Sequence, residues 1–227
     1  PPEKEESTST ASHPLEIVHA NPPQKTLEER ITEAEQKSSN VKGLYMTADV
    51  ANGESNGAKY LRENIIRLAT TTEINGIVID VKEVCGPDYD AERLKKLIEE
   101  LHEKDIWAIA RIVVFKDASQ TEVHPDWYLT RKSPIPVEDW CARKKYLQIK
   151  NPAGEKPKVH FWRDKKGGYW LDPASEDAQN YIINFSKKMI DLGFNELQFD
   201  YIRFPSDGDV SNALYPAWNK KTSRYEV

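Results

Sequence analysis

Cysteine, histidine and long apolar runs are scarce in this chain. Only two cysteines, Cys85 and Cys141, stand among its 227 residues, without CxxC spacing and without histidine in metal-ligand register. No metal site is therefore expected, while one disulfide in an exported chain and two free thiols both remain open. No run approaches the roughly 18 apolar residues that would span a bilayer. No secretory apolar segment is present either, although a first residue Pro1 rather than Met leaves room for a leader removed earlier. The ten glycines form neither GxGxxG nor GxxxxGK[ST], so no nucleotide cofactor is implied. Basic charge is not in excess: 32 Lys and Arg face 37 Asp and Glu, a net charge of -5. A nucleic-acid partner would call for the opposite balance.

What the chain does have is alternation. Residues 1–25 are rich in Pro, Ser, Thr and Glu and cannot repay the entropy of ordering, so they read as a linker. Thr26 and Glu29 form a capping box that opens a short helix, "LEERITEAEQK", expected to dock weakly. Residues 1–40 are thus a linker plus a short helix. From residue 41, strand-like and helix-like stretches follow each other. Strands are expected in "VKGLYMTADV", "GIVIDVKE", "IWAIARIVVF" and "ELQFDYIRF". Helical spacing runs from Asn56 to Gly76, from Asp90 to Lys104, and from Asp172-Pro173 to Gly193.

Near-continuous apolar strands between helices imply a parallel sheet. The first three strands end roughly 33 residues apart, an ordinary βα unit. Without a phosphate-binding turn, a (β/α) barrel of the TIM type is preferred over an open doubly wound sheet. Such a barrel takes about 250 residues and eight strands, and only four strands are legible here. Residues 41–227 therefore read as the N-terminal half of a barrel, with the remainder supplied by a longer chain or a second copy.

Charge collects where those strands end, which is where barrel sites lie. Asp49 is placed at the end of the first strand, Asp80, Lys82 and Glu83 at the second, Arg111 in the third, and Asp200, Tyr201 and Arg203 at the fourth. Alternation puts Asp80 and Lys82 on one face. Charge inside apolar strands is costly unless paired or used, so either a buried ion network or a working site is expected. The long interval from 116 to 171 carries Trp127, Trp140, Trp162 and Trp170, with Tyr128, Tyr146, Phe161 and Tyr169. Its twelve Lys or Arg against seven Asp or Glu make it basic within an acidic protein. Aromatic faces in a basic surround suit an anionic carbohydrate polymer, with Trp127, Trp162 and Trp170 as platforms. The same tryptophans could equally form the loop's own core.

The strings "VKGLYMTA", "NGIVIDVKE", "IARIVVFKD", "HPDW", "WLDPAS" and "GFNELQFDYIRFPSDG" resemble a glycoside-hydrolase-like domain family of unknown function. Its members are TIM barrels of bacterial envelope and secreted proteins. The resemblance runs from about Val41 to Gly208 and implies a polysaccharide-processing barrel related to the retaining glycosidases. It also implies an extracellular or envelope location. In that wider group an aspartate ending the fourth strand is the nucleophile, and Asp200 matches it. Asp80 or Glu83 would then supply the second carboxyl, because the usual acid comes from a later strand. Lys82 with Asp80 would fix substrate hydroxyls, and Arg111 or Arg203 would hold Asp200 ionised. Cys85 stands where a polar loop residue is expected. The alternative is a non-catalytic glycan-binding module, or an incomplete domain inactive alone.

Overall fold

The computed structural model describes residues 26–136, 141 and 158–218; the 1–25 linker, Trp140 and Tyr146 fall outside them. Two units are present, one ending at Ser39 and one beginning at Asn40. In the first, helix α1 (Leu27–Ser38) starts at Thr26, whose side chain accepts from Glu29 N–H while Glu29 reaches back to Thr26 N–H.

The second unit is an α/β fold built on a parallel sheet. Strands β1 (Gly43–Met46), β2 (Gly76–Glu83), β4 (Trp107–Val113) and β7 (Glu196–Asp200) lie side by side in chain order. A doubly wound sheet reverses its order at a switch point; this sheet does not. With right-handed crossovers, unreversed order lays every connecting helix on one face. The core agrees. Helices α3 (Asn56–Thr71), α4 (Ala91–Glu103) and α5 (Glu176–Asp191) place Ile66, Leu94, Leu97, Ile98, Leu101, Phe185 and Met189 in one cluster with Ile77, Ile79, Ala108, Ala110 and Ile112 of the sheet. These are successive βα units of a (β/α)-barrel type fold.

Three expected boundaries move. The first strand stops at Met46, because Thr47 caps Val50 N–H and opens a short helix α2 (Ala48–Asn52). The third helix pattern begins after Ser175, which accepts from Ala178 N–H; Asp172 instead closes the turn before it, its Oδ1 accepting from Ala174 N–H. The last strand ends at Asp200, because Tyr201 turns into the left-handed region at φ 54°.

The described part of the long interval forms a small subdomain. Strands β5 (Thr130–Pro136) and β6 (Lys158–Phe161) pair antiparallel over a cluster containing Tyr128, Leu129, Trp162, Tyr169, Trp170 and Leu171. Cys85 and Cys141 are joined in a disulfide that ties this interval to the turn after β2. There the chain doubles back to a two-residue strand β3 (Gly86–Pro87), and Gly86 at φ 101° leaves no space for a Cβ beside Ser119.

Candidate active site

The face of the sheet opposite the helices is where the charge lies. Parallel register sets Asp80 beside Arg111 and Arg111 beside Gln198, with Val113 beside Asp200 two residues further on. Residues paired across a parallel sheet share a face, so Asp80, Arg111 and Asp200 converge toward the carboxyl ends of their strands.

Arg111 is the hub. Its Nη1 donates to Asp80 Oδ1 at 2.7 Å and to Glu83 Oε1 at 2.6 Å, and its Nη2 donates to Asp200 Oδ2 at 2.6 Å. A planar guanidinium with fixed donors suits this role better than an ammonium would. Burial works against its charge, but hydrogen bonds to Asp80 and Asp200 and the field of Glu83 outweigh that and push its basicity up. Asp80 is buried, Glu83 half-buried, and Asp200 has a side chain 44% exposed. The other Asp200 oxygen accepts from Tyr201 N–H at 2.7 Å. Burial and a hydrogen bond to Asp80 push the Glu83 carboxyl above the usual range, against the pull of Arg111.

One member of the cluster carries no charge and escaped the sequence reading. Tyr45 of β1 donates its hydroxyl to Asp80 Oδ2 and accepts from Arg111 Nη1 at 3.2 Å. The only signal for it was alternation: Tyr45 pairs with Val78, which shares the face of Asp80.

Other expected site residues lie elsewhere. Asp49 is exposed in the first turn of α2, because its strand ends three residues before it. Lys82 is not beside Asp80. The pairing slips between Asp80 and Lys82, so one extra residue re-aims the side chains that follow. Glu83 thereby joins Arg111, while Lys82 is fully buried with its Nζ 2.8 Å from Asp117 and donating to Val113 O at 2.6 Å. A lysine so enclosed cannot reach a substrate hydroxyl. Trp162 and Trp170 are also fully buried: their indole N–H groups donate to Asp209 O and to Asp164 Oδ2, and they pack the subdomain core rather than a sugar. Trp127 is half-buried, its ring stacked on His124 with centroids 3.8 Å apart. Arg203 is exposed, donates to Ser206 and lies 5.3 Å from the ring centroids of Trp170 and Tyr201; it does not pair with Asp200. Among the described residues no group of three His, Cys, Asp or Glu is placed to hold a metal ion, and no helix is long and apolar enough to cross a membrane.

Comparison with known proteins bears on the family and the fold. A solved structure of a hypothetical protein from Ruminiclostridium thermocellum ATCC 27405 is similar at 24% identity, covering 81% of this chain and 85% of that one, with a TM-score of 0.56. That likeness bears on the fold alone. The maltogenic α-amylase AmyB of Thermotoga neapolitana is matched at 14% identity over 74% of this chain and 40% of its own, with a TM-score of 0.48. The Nostoc punctiforme debranching enzyme is matched at 11% over 76% and 44%, with a TM-score of 0.49. This chain spans less than half of either enzyme. No curated protein matches the sequence significantly. The family model described as "Putative glycosyl hydrolase domain" matches residues 43–227, most of the second unit. The chain belongs to this glycosyl hydrolase domain family.

Proposed function

We propose that this domain is a retaining glycoside hydrolase acting on a carbohydrate polymer, with Asp200 as nucleophile and Glu83 as acid/base. The observation that carries the reading is the three-way grip of Arg111 on carboxylates from two strands at the carboxyl ends of the sheet. Retaining hydrolysis requires two carboxyls in different protonation states on either side of the scissile bond. Asp200 accepts hydrogen bonds at both oxygens and is open to solvent, which suits attack on an anomeric carbon. Glu83 is held toward its protonated form, which suits donation to the leaving oxygen. In the first step the C–O bond to Asp200 forms as the glycosidic bond breaks and Glu83 delivers its proton. In the second, the Glu83 carboxylate takes a proton from water, which attacks the same carbon and frees Asp200. Asp80 and Arg111 keep both groups in register, and Tyr201 follows the nucleophile directly, its N–H held by Asp200. The basic interval supports an anionic polymer. The disulfide supports an extracellular or cell-envelope setting, where such bonds persist. Residues 41–227 would form the N-terminal half of the barrel, with further strands added beside β7 from a longer chain or a second copy.

Replacing Asp200 with Asn tests the assignment. Turnover of acidic and neutral polysaccharides, followed by reducing-end release, is expected to fall by 10³-fold or more, on the order of the loss seen when a catalytic group is removed. The thermal midpoint should stay within a few degrees, since the side chain is half-exposed. Retained turnover would overturn the assignment. A non-catalytic glycan-binding module is less favoured, because two of its expected platforms, Trp162 and Trp170, are buried.

A further inference from the structure

Trp127 is the one expected platform that is not enclosed in the subdomain core, and it borders a groove of about 350 Å³ beside α5. Tyr89 and Tyr181 line the same groove, together with Asn180 and Asn184. Phe185 lines it too, and Phe185 belongs to the core cluster on the helix side of the sheet. Asp80, Arg111 and Asp200 converge on the other side, so the groove is separate from the carboxylate cluster.

The two larger rings are held in place. The Trp127 indole is backed by the His124 imidazole at 3.8 Å with an interplanar angle of 2°. The Tyr181 ring lies 5.8 Å from Trp127 at 39°, and its hydroxyl donates to Asp117 Oδ2 at 3.4 Å. Rings fixed before a ligand arrives lose little freedom when it does. Beside them Asn180, Asn184 and Lys188 recur every four residues along one stripe of α5, one turn after Asp177. All four side chains are exposed, and among the described residues no hydrogen bond engages either amide.

This combination selects a ligand class. A side-chain amide both donates and accepts, as a sugar hydroxyl does, while an aromatic face takes the apolar C–H side of a pyranose ring. The single cation, Lys188, is offset by Asp177 in the same lining, whereas a phosphate or sulfate would call for a cluster of basic groups. A helical peptide would call for an apolar groove without amides in its wall. At about 350 Å³ the groove is at the small end of ligand sites, so its occupant is a short segment. We propose that this groove is a second carbohydrate site, which binds a short uncharged stretch of a polysaccharide away from Asp200 and holds the polymer to the domain.

The test is run on Asp200→Asn, so that no probe is cleaved. Soluble neutral oligosaccharides of glucose, xylose, mannose and N-acetylglucosamine are titrated in turn, with NMR of the tryptophan indole N–H and asparagine side-chain amide signals. Saturable shifts at Trp127, Asn180 and Asn184 are expected with at least one of them. Adding Asn180→Ala with Asn184→Ala should weaken that binding about tenfold, as the loss of two hydrogen-bonding groups implies. Both positions are exposed and alanine favours a helix, so the thermal midpoint should hold and the loss reads binding alone. Absence of shifts with all four sugars overturns the proposal. Shifts confined to the surroundings of Arg111 overturn it, and so does an affinity that the paired alanines leave unchanged. Binding at the groove is read without turnover, so a failure of the hydrolase assignment would leave this result standing, and the reverse holds equally.

Discussion

Lys82 and Asp117 have no exposed side-chain surface, and their charges lie 2.8 Å apart. Burial lowers the lysine's basicity, while Asp117 and Glu83 work to restore it. Removing one partner of such a pair leaves an uncompensated buried charge, whereas replacing both by apolar groups is often neutral. Lys82→Met is therefore expected to cost roughly 3–5 kcal/mol in urea unfolding. Lys82→Met with Asp117→Leu together should recover most of that loss; a double variant as unstable as the single would show that the pair itself stabilises. The sequence pointed to Asp80, Glu83, Arg111 and Asp200 because charge among apolar strand residues is conspicuous. It misplaced Lys82 because period-two counting has no means of seeing a bulge, and it missed Tyr45 because tyrosine in a strand looks ordinary. For Trp162 and Trp170, composition could not separate a stacking platform from a core, since both need large aromatic rings.

At the scale of elements, starts were more legible than stops. The capping box at Thr26 and the start read at Asp90 mark their helices correctly, each side chain accepting an N–H three residues on. The β1 and β7 ends were overrun, because "TADV" and "YIRF" are apolar enough to continue a strand and only backbone geometry breaks them there. The interval after β4 is stapled to the rest by Cys85–Cys141, which explains the cysteine that stands two residues beyond Glu83. The two halves are 56 residues apart in sequence. On the loop-entropy account, a closure of that length contributes about 4 kcal/mol by restricting the unfolded chain. Denaturant unfolding with and without reductant should show a loss approaching that figure, matched by Cys85→Ser with Cys141→Ser. A loss below about 1 kcal/mol would mean that the bridge constrains little of the unfolded chain. A second tie, Lys116 to Asp164 at 2.7 Å, joins the start of the interval to its later part. Burial disfavours the Asp164 carboxylate, but Lys116, the Trp170 indole and Gly168 N–H outweigh it and hold the group below its usual range. The stability it contributes is present above the unfolded carboxyl range and lost as pH falls through the depressed value.

For the molecule as a whole, the unusual surface is the one beside β7. Parallel sheets are ordinarily covered on both faces and paired along their edges, since bare backbone and apolar side chains invite association. Here Phe199 and Ile202 are exposed next to Ile183 and Ile190 of α5, around a groove of about 640 Å³. The apolar groove combines strand and helix residues, as the wall of a neighbouring βα unit would require. An apolar patch of this kind binds hydrophobic dyes and drives concentration-dependent association when nothing covers it. Ile183→Lys with Ile190→Lys is expected to reduce both dye fluorescence and the sedimentation-derived mass at high concentration. Because the two side chains are already about half in solvent, the unfolding free energy should move by no more than about 0.5 kcal/mol each. If instead the double variant loses several kcal/mol, these isoleucines are packed within the domain itself, and the face beside β7 is not open for a further strand and helix.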